Sequence, residues 1–368
     1  METFLKNAKS ALISSADTYS CIHVVIGNEA CDLDSAISAI SYAYFLDKIK
    51  SDEFTLIVPV LGIPKADFNL RTEIVYLLNK FKLVGSDNLT FRDEIDLAAL
   101  YASSRLRLSL VDHHVLSSTD EEFADCVVEV IDHRPKEQCE MEGAKMTIES
   151  VGSCSTLVAE KLIACKKFKF NSVIAGLLHA TILVDTICLN PEAKKTTDKD
   201  INVLTRLEDF MPKVERKQIF SEIQTAKMDI TGLTNLEILR KDLKVVTSNS
   251  FVIAMSSVPV HLETFLHRSK IDSDLLKFLA LQKADAAVIL TVAPSTDDCI
   301  ERQLAIYSTN PSLRDKIDRA LRVDTPGPVL DLTPIRSVPS ADFIAYRQGN
   351  IAASRKAILP IVKTVIST

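Results

Sequence analysis

The first half of the chain alternates between two textures. Short β-rich runs at Cys21–Ile26, Phe54–Val60, Leu106–Val111 and Val127–Ile131 read as strands. Between them, segments such as Leu33–Ile49 and Asn69–Phe81 place apolar residues at helical spacing. This alternation predicts an α/β domain built on a mainly parallel, helix-covered sheet. Helical patterns follow at Ser153–Ala164 and Ser172–Ile187, then a polar stretch from Asn190 to Asp200 and more helix to about Met228. From Leu239 the texture returns to strands, at Lys244–Thr247, Phe251–Val258, Ala286–Val292 and Ile300–Tyr307.

The length of 368 residues predicts two domains, because single cores rarely exceed about 100–200 residues. The change of texture places the boundary between 210 and 230, giving domains of 1–212 and 216–368. With 47% hydrophobic and 25% charged residues, the chain has enough apolar surface for two cores. The net charge of −6 argues against broad nucleic-acid binding, which needs a basic surface, but leaves room for a small anion held by local charge. Lys6 and Lys9 break the apolar pattern of Met1–Ala16, which reads as a helix and not a signal peptide. No apolar stretch approaches the ~20 residues of a membrane span, so a cytoplasmic location is expected. Eight scattered cysteines without a CxxC pair predict reduced thiols and no zinc cluster.

Four acidic signatures carry the chemistry. Gly27-Asn28-Glu29-Ala30-Cys31-Asp32-Leu33-Asp34-Ser35 joins a strand to a helix; Asp32 and Asp34 can share metals, or Asp32, Asp34 or Ser35 can simply cap that helix. Asp112-His113-His114 ends the strand Leu106–Val111, and Asp132-His133-Arg134 follows the strand Val127–Ile131. Strand ends are where open α/β sheets place ligands. One such motif could be a hydrogen-bonded Asp–His pair without metal; two together favour a metal site. Asp185 interrupts an apolar helical run, and an unpaired buried carboxylate needs a cation, a hydrogen-bond network or a helix end. His179, about 240° away around the helix, is expected to pack elsewhere.

With these residues in order, the chain resembles the prune-type exopolyphosphatases, relatives of the family II inorganic pyrophosphatases within the DHH superfamily. The resemblance covers nearly the whole chain. It implies an N-terminal DHH domain, a smaller C-terminal α/β DHHA2 domain and an active site in the cleft between them. It also implies metal ligation by Asn28, Asp32, Asp34, Asp112, His133 and Asp185. Ser354-Arg355-Lys356 resembles the phosphate-binding motif of the DHHA2 domain. Arg240-Lys241-Asp242-Leu243-Lys244 resembles its other basic site, with Lys244 and then Lys241 as substrate contacts. Regulatory protein partners are a further implication of the family.

Two departures from the pyrophosphatase pattern bear on substrate. Asn28 replaces the usual histidine, which favours oxygen-rich coordination and makes Mg²⁺ as suitable as Mn²⁺. Arg134 replaces the second histidine of the third motif, placing a permanent bidentate donor where phosphate oxygens would lie and shifting the expected substrate toward short polyphosphates.

Four carboxylates balance two divalent cations, which would activate water for in-line attack on a terminal phosphorus. Asp112, His113, His114 and Arg134 are the candidate catalytic residues. Either histidine could orient substrate or protonate the leaving oxygen. Arg134, Lys244, Lys241, Arg355 and Lys356 would offset the charge of inorganic polyphosphate or another small phosphate. Three alternatives stay open. They are a cyclic-nucleotide phosphodiesterase using the same metals, a regulatory binding protein with vestigial or secondary activity, and a single-strand nuclease, which the acidic, tryptophan-free composition disfavours.

Overall fold

A computed structural model describes residues 1–83, 85–135, 141, 143–213, 215–294, 300–322 and 328–367; Cys139 and Cys299 lie outside this set. The chain forms two compact units, Met1–Lys227 and Met228–Thr368. Ile219 and Ile223 of the helix Arg216–Met228 are buried in the core of the first unit, so that unit runs past residue 212.

The first unit is built on β1 (Cys21–Ile26), β2 (Thr55–Leu61), β3 (Thr90–Phe91), β4 (Leu106–Val111), β5 (Val127–Asp132) and β6 (Lys145–Ile148). They form one sheet in the order β3-β2-β1-β4-β5-β6, and each pairing is parallel. The order reverses between β1 and β4. At such a switch point the loops leaving the two strands diverge and open a crevice beyond their carboxyl ends.

Alternate residues of β1 serve opposite faces, as the two-residue period of a strand requires. Ile22, Val24 and Ile26 join Val58, Leu108 and Leu110 on one side, while Val25 packs on the other with the helices Leu33–Ile49, Cys154–Ala164 and Ser172–Asp185. The helix Leu33–Ile49 is buried on every side from Leu33 to Phe45, as a helix apolar all round must be.

The helix expected to reach Ile187 stops at Asp185. Ile187, Cys188 and Leu189 then adopt φ of 51°, 55° and 60°, a left-handed turn that costs L-residues energy and forces the chain off the helix axis. The helix expected from Asn69 starts at Thr72, after a 3₁₀ segment at Lys65–Leu70.

The second unit holds β7 (Leu243–Thr247), β8 (Val252–Val258), β9 (Ala286–Pro294), β10 (Ile300–Tyr307), β11 (Leu332–Ile335) and β12 (Phe343–Gln348). The sheet order is β11-β12-β10-β9-β8-β7; β8 and β9 run parallel and the other neighbours antiparallel. The helix Ile271–Gln282 covers one face, and Pro311–Arg322 and Arg355–Ser367 cover the other. This is the smaller α/β domain. No helix among the described residues is long and apolar enough to cross a membrane.

Candidate metal centre

The loop after β1 is shaped by close backbone contact and by one amide side chain. A Cβ on Gly62, at the end of β2, would lie 2.6 Å from the Asn28 carbonyl oxygen, so only glycine fits there. Asn28 Oδ1 accepts from the N–H groups of Ala30 (3.0 Å) and Cys31 (3.1 Å). Its Nδ2 donates to Asp112 Oδ2 at 2.8 Å. Arg71 closes the loop from outside, donating to the carbonyls of Ala30 (2.8 Å) and Cys31 (3.2 Å).

The two aspartates of this loop are held differently. Asp32 is the N-cap of the helix Leu33–Ile49, its Oδ1 accepting from Ser35 N at 3.1 Å. Capping and metal ligation are compatible, because the cap uses one carboxylate oxygen. Asp34 points inward onto the amino end of the helix Cys154–Ala164, accepting from Cys154 N (2.6 Å), Ser155 N (2.8 Å) and Ser155 Oγ (2.7 Å). A helix N-terminus favours negative charge, and these bonds fix the carboxylate.

Asp112 ends β4 with φ 61°, a left-handed conformation that turns its side chain back over the strand ends. Its Oδ2 accepts from Asn28 and from Ser35 Oγ at 2.5 Å. Its Oδ1 is buried without a hydrogen bond, 3.3 Å from His133 Nε2 and 3.4 Å from Arg134 Nη2. His133 donates through Nδ1 to the Val151 carbonyl (3.0 Å), which fixes its tautomer and turns Nε2 toward Asp112 and, at 3.9 Å, Asp34 Oδ2. Ligand atoms of Asp34, Asp112 and His133 all lie within 4.8 Å of one another.

Asp185 is the last residue of its helix, where the backbone dipole disfavours an anion, and its Oδ2 is buried without a partner. Burial, and then the charge of Asp34, push its carboxyl well above the usual range. The same two causes raise Asp112 to about 7. Burial alone would lower His133, but the Asp112 carboxylate beside it and the charge of Asp34 raise it to about 9. The cluster therefore calls for positive charge, and the orphaned oxygens of Asp112 and Asp185 are donors to receive it. Carboxylate oxygens with one imidazole nitrogen suit Mg²⁺ or Mn²⁺. A thiolate contribution is not on offer from Cys154, whose fully buried thiol donates to the Ile131 carbonyl (3.2 Å) and is held protonated by burial.

The remaining motif residues separate by role. His114 is buried and pairs through Nδ1 with Asp132, whose other oxygen accepts from the backbone N–H of His133 (2.8 Å) and Arg134 (3.3 Å). The second and third motifs are thus pinned to each other by an Asp–His pair drawn from both. His113 donates through Nδ1 to the Val111 carbonyl at 3.0 Å and lines a cavity of about 350 Å³ with Asn28, Arg92 and Arg134. Arg134 folds back so that Nη1 donates to the Asp112 carbonyl. His179 stands apart, bonded through Nε2 to Glu208 (3.0 Å), which also receives Arg216.

Ser35, Arg71 and the amino end of Cys154–Ala164 all hold the site, yet in the sequence Ser35 reads only as a helix cap and the other two carry no signal. Ser35 was visible beside Asp34; the other two act across contacts that no local pattern announces. In the second unit, Arg355 donates to the Asp242 carbonyl and pairs with its carboxylate, both at 2.8 Å, so the segments around 240–244 and 354–356 meet. Lys244 and Lys356 are exposed beside that junction, and Lys241 closes the helix Asn235–Lys241.

Comparison with known proteins agrees with this architecture. Residues 23–182 match the DHH family, N-terminal domain, and residues 221–365 match the DHHA2 domain. Exopolyphosphatase PRUNE1 of Rattus norvegicus is 41% identical over 370 residues, covering 100% of this chain and 79% of that protein. A manganese-dependent inorganic pyrophosphatase of Methanocaldococcus jannaschii is 26% identical over 303 residues, covering 79% of this chain and 88% of that protein. A solved structure described as a family II inorganic pyrophosphatase of Methanococcus jannaschii superposes with a TM-score of 0.51 at 21% identity, covering 94% of this chain and 99% of that one, and supports the fold. The four acidic motifs, the switch-point site and a 41% identity that spans the whole of this chain converge: the chain belongs to the prune-type exopolyphosphatases of the DHH family.

Proposed function

We propose that the chain is a metal-dependent hydrolase of phosphoanhydride bonds that removes terminal phosphate from short inorganic polyphosphates. The observation that carries this reading is the unsatisfied Oδ1 of Asp112 facing His133 Nε2, at a switch point crowded with carboxylates. Asp32, Asp34, Asp112, His133 and Asp185 would hold two divalent cations, Mg²⁺ or Mn²⁺. When bound, the cations acidify water and polarise phosphoryl oxygens.

The chain's own groups do the rest. Asp34 is fixed by the helix Cys154–Ala164, and the Val151 carbonyl holds the Nδ1 proton of His133, so that Nε2 is the nitrogen left to a cation when its proton leaves. Arg134 has a half-exposed guanidinium beside Asp112 and can hold phosphoryl oxygens in bidentate fashion. His113, held below its ordinary pKa by burial, presents Nε2 as an acceptor that can orient a hydroxyl or a protonated phosphate. His114 is committed to Asp132 and serves to hold the two loops. Within the second unit, Lys241, Lys244, Arg355 and Lys356 carry positive charge of the kind that binds a polyanion. The six described cysteines are free thiols, which suits the reducing cytoplasm where we place the protein.

One observation favours a second reading, cleavage of a cyclic nucleotide at the same metals. The cavity beside His113 and Arg134 is walled by Leu97, Leu108, Leu110, Val115 and Leu116, an apolar lining that inorganic polyphosphate does not need. Rates of cleavage of tripolyphosphate, pyrophosphate and a cyclic nucleotide with Mg²⁺ or Mn²⁺ separate the two. The exopolyphosphatase reading requires tripolyphosphate to rank first.

A further inference from the structure

We infer that Asn28 is a positioning residue for Asp112 and gives no electron pair to a metal ion. The inference rests on Asp112 being a metal ligand. The orientation of the Asn28 amide is fixed by its surroundings. Oδ1 faces two backbone donors, Ala30 N and Cys31 N, while Nδ2 faces Asp112 Oδ2 and, at 3.3 Å, the Asp112 carbonyl. Turning the amide over would set its NH₂ against two N–H groups and its oxygen against two acceptors, so all four contacts would become repulsive. An amide nitrogen has no free lone pair to offer a cation, and the oxygen that could serve is committed to its own loop.

Ser35 completes the device. Its Oγ accepts from Asn28 N (3.2 Å) and uses its single proton on Asp112 Oδ2 (2.5 Å). Two donors therefore saturate one oxygen of Asp112 and leave the other bare, aimed at His133. Asn28 and Ser35 present Asp112 as a ligand through Oδ1 alone. The loss of a ligating side chain at position 28 is offset by tighter aim of the carboxylate opposite.

Two measurements on the full chain test this. In crystals loaded with Mn²⁺, anomalous scattering should place manganese at Asp112 Oδ1 and His133 Nε2, with Asn28 Oδ1 still bonded to Ala30 and Cys31. Asn28 Oδ1 at bonding distance of a manganese peak, roughly 2.0–2.6 Å for an oxygen on a divalent cation, overturns the inference. No peak at Asp112 instead overturns the metal-site reading beneath it. In Mn²⁺ titrations, Asn28→Ala should weaken binding about 10–100-fold, the usual effect of removing a group that orients a ligand. Because either donor alone holds Asp112 in part, the loss from Asn28→Ala should be several-fold larger in a Ser35→Ala background. An identical loss in both backgrounds would show that Asn28 acts on its loop and not through Asp112.

Discussion

His133 Nε2 stands 3.3 Å from Asp112 Oδ1, and that oxygen is buried with no hydrogen bond of its own. Only a proton or a cation satisfies both atoms. The raised values of Asp112, about 7, and His133, about 9, describe the proton's claim on the site, which a divalent ion must contest.

That competition gives a stability prediction with a definite sign. Folded Asp112 binds its proton more tightly than an unfolded aspartate, so its contribution is present at low pH and is lost as pH rises from about 4 to about 7. His133 contributes fully below its unfolded value near 6.5 and loses that contribution as pH rises to about 9. The two terms are lost one after the other in metal-free protein, Asp112 first and then His133, while metal binding strengthens as the protons leave. The rise in Tm on adding Mn²⁺ should therefore grow steadily between pH 5 and pH 8 in thermal melts. A pH-independent increment contradicts this.

Asp185→Asn removes a charge from the carboxyl end of a helix while keeping the shape of the side chain. Metal-free protein should become more stable by about 1–2 kcal/mol at pH 8 in urea denaturation. Phosphate release should fall at least 100-fold. A metal-free variant less stable than the parent would mean that Asp185 is satisfied by the protein alone.

The two histidines of the second motif should respond oppositely. His114→Ala strips Asp132 Oδ2 of its imidazole partner in the interior and should cost about 1–3 kcal/mol of stability. His113→Ala, at the cavity wall, should leave the urea midpoint nearly unchanged and alter kcat or KM. Equal stability losses in both variants would remove the distinction.

Gly62→Ala puts a methyl 2.6 Å from the Asn28 carbonyl oxygen and must displace the loop that carries Asn28 and Asp32. Overpacking of this kind costs about 1–3 kcal/mol, and Mn²⁺ affinity should drop with it. Calorimetric titration of the variant checks the second part.

Cys21–Ile26 and Leu106–Val111 were legible to the residue, because buried parallel strands are short apolar runs with sharp polar ends. β3, two residues long, and β6, partly exposed throughout, left no comparable trace. Asp185 was legible as an acid in an apolar helix; the left-handed turn behind it was not, since Ile187 is a poor residue for that conformation. The motifs were readable because each sits where an element ends. Their wiring was not. Asp34 meets Cys154 across 120 residues of sequence, and Asn28 meets Asp112 across 84. Spacing along the chain cannot tell which atom of an amide faces the carboxylate.

A divalent-metal centre at the switch point that cleaves phosphoanhydrides must show itself in the release of phosphate. Its most direct test is phosphate release from tripolyphosphate against added Mn²⁺ or Mg²⁺, with wild type beside Asp112→Ala. Release should require metal, be abolished by chelator and fall at least 100-fold in the variant. Release that persists in chelator, or is equal in wild type and Asp112→Ala, would contradict it.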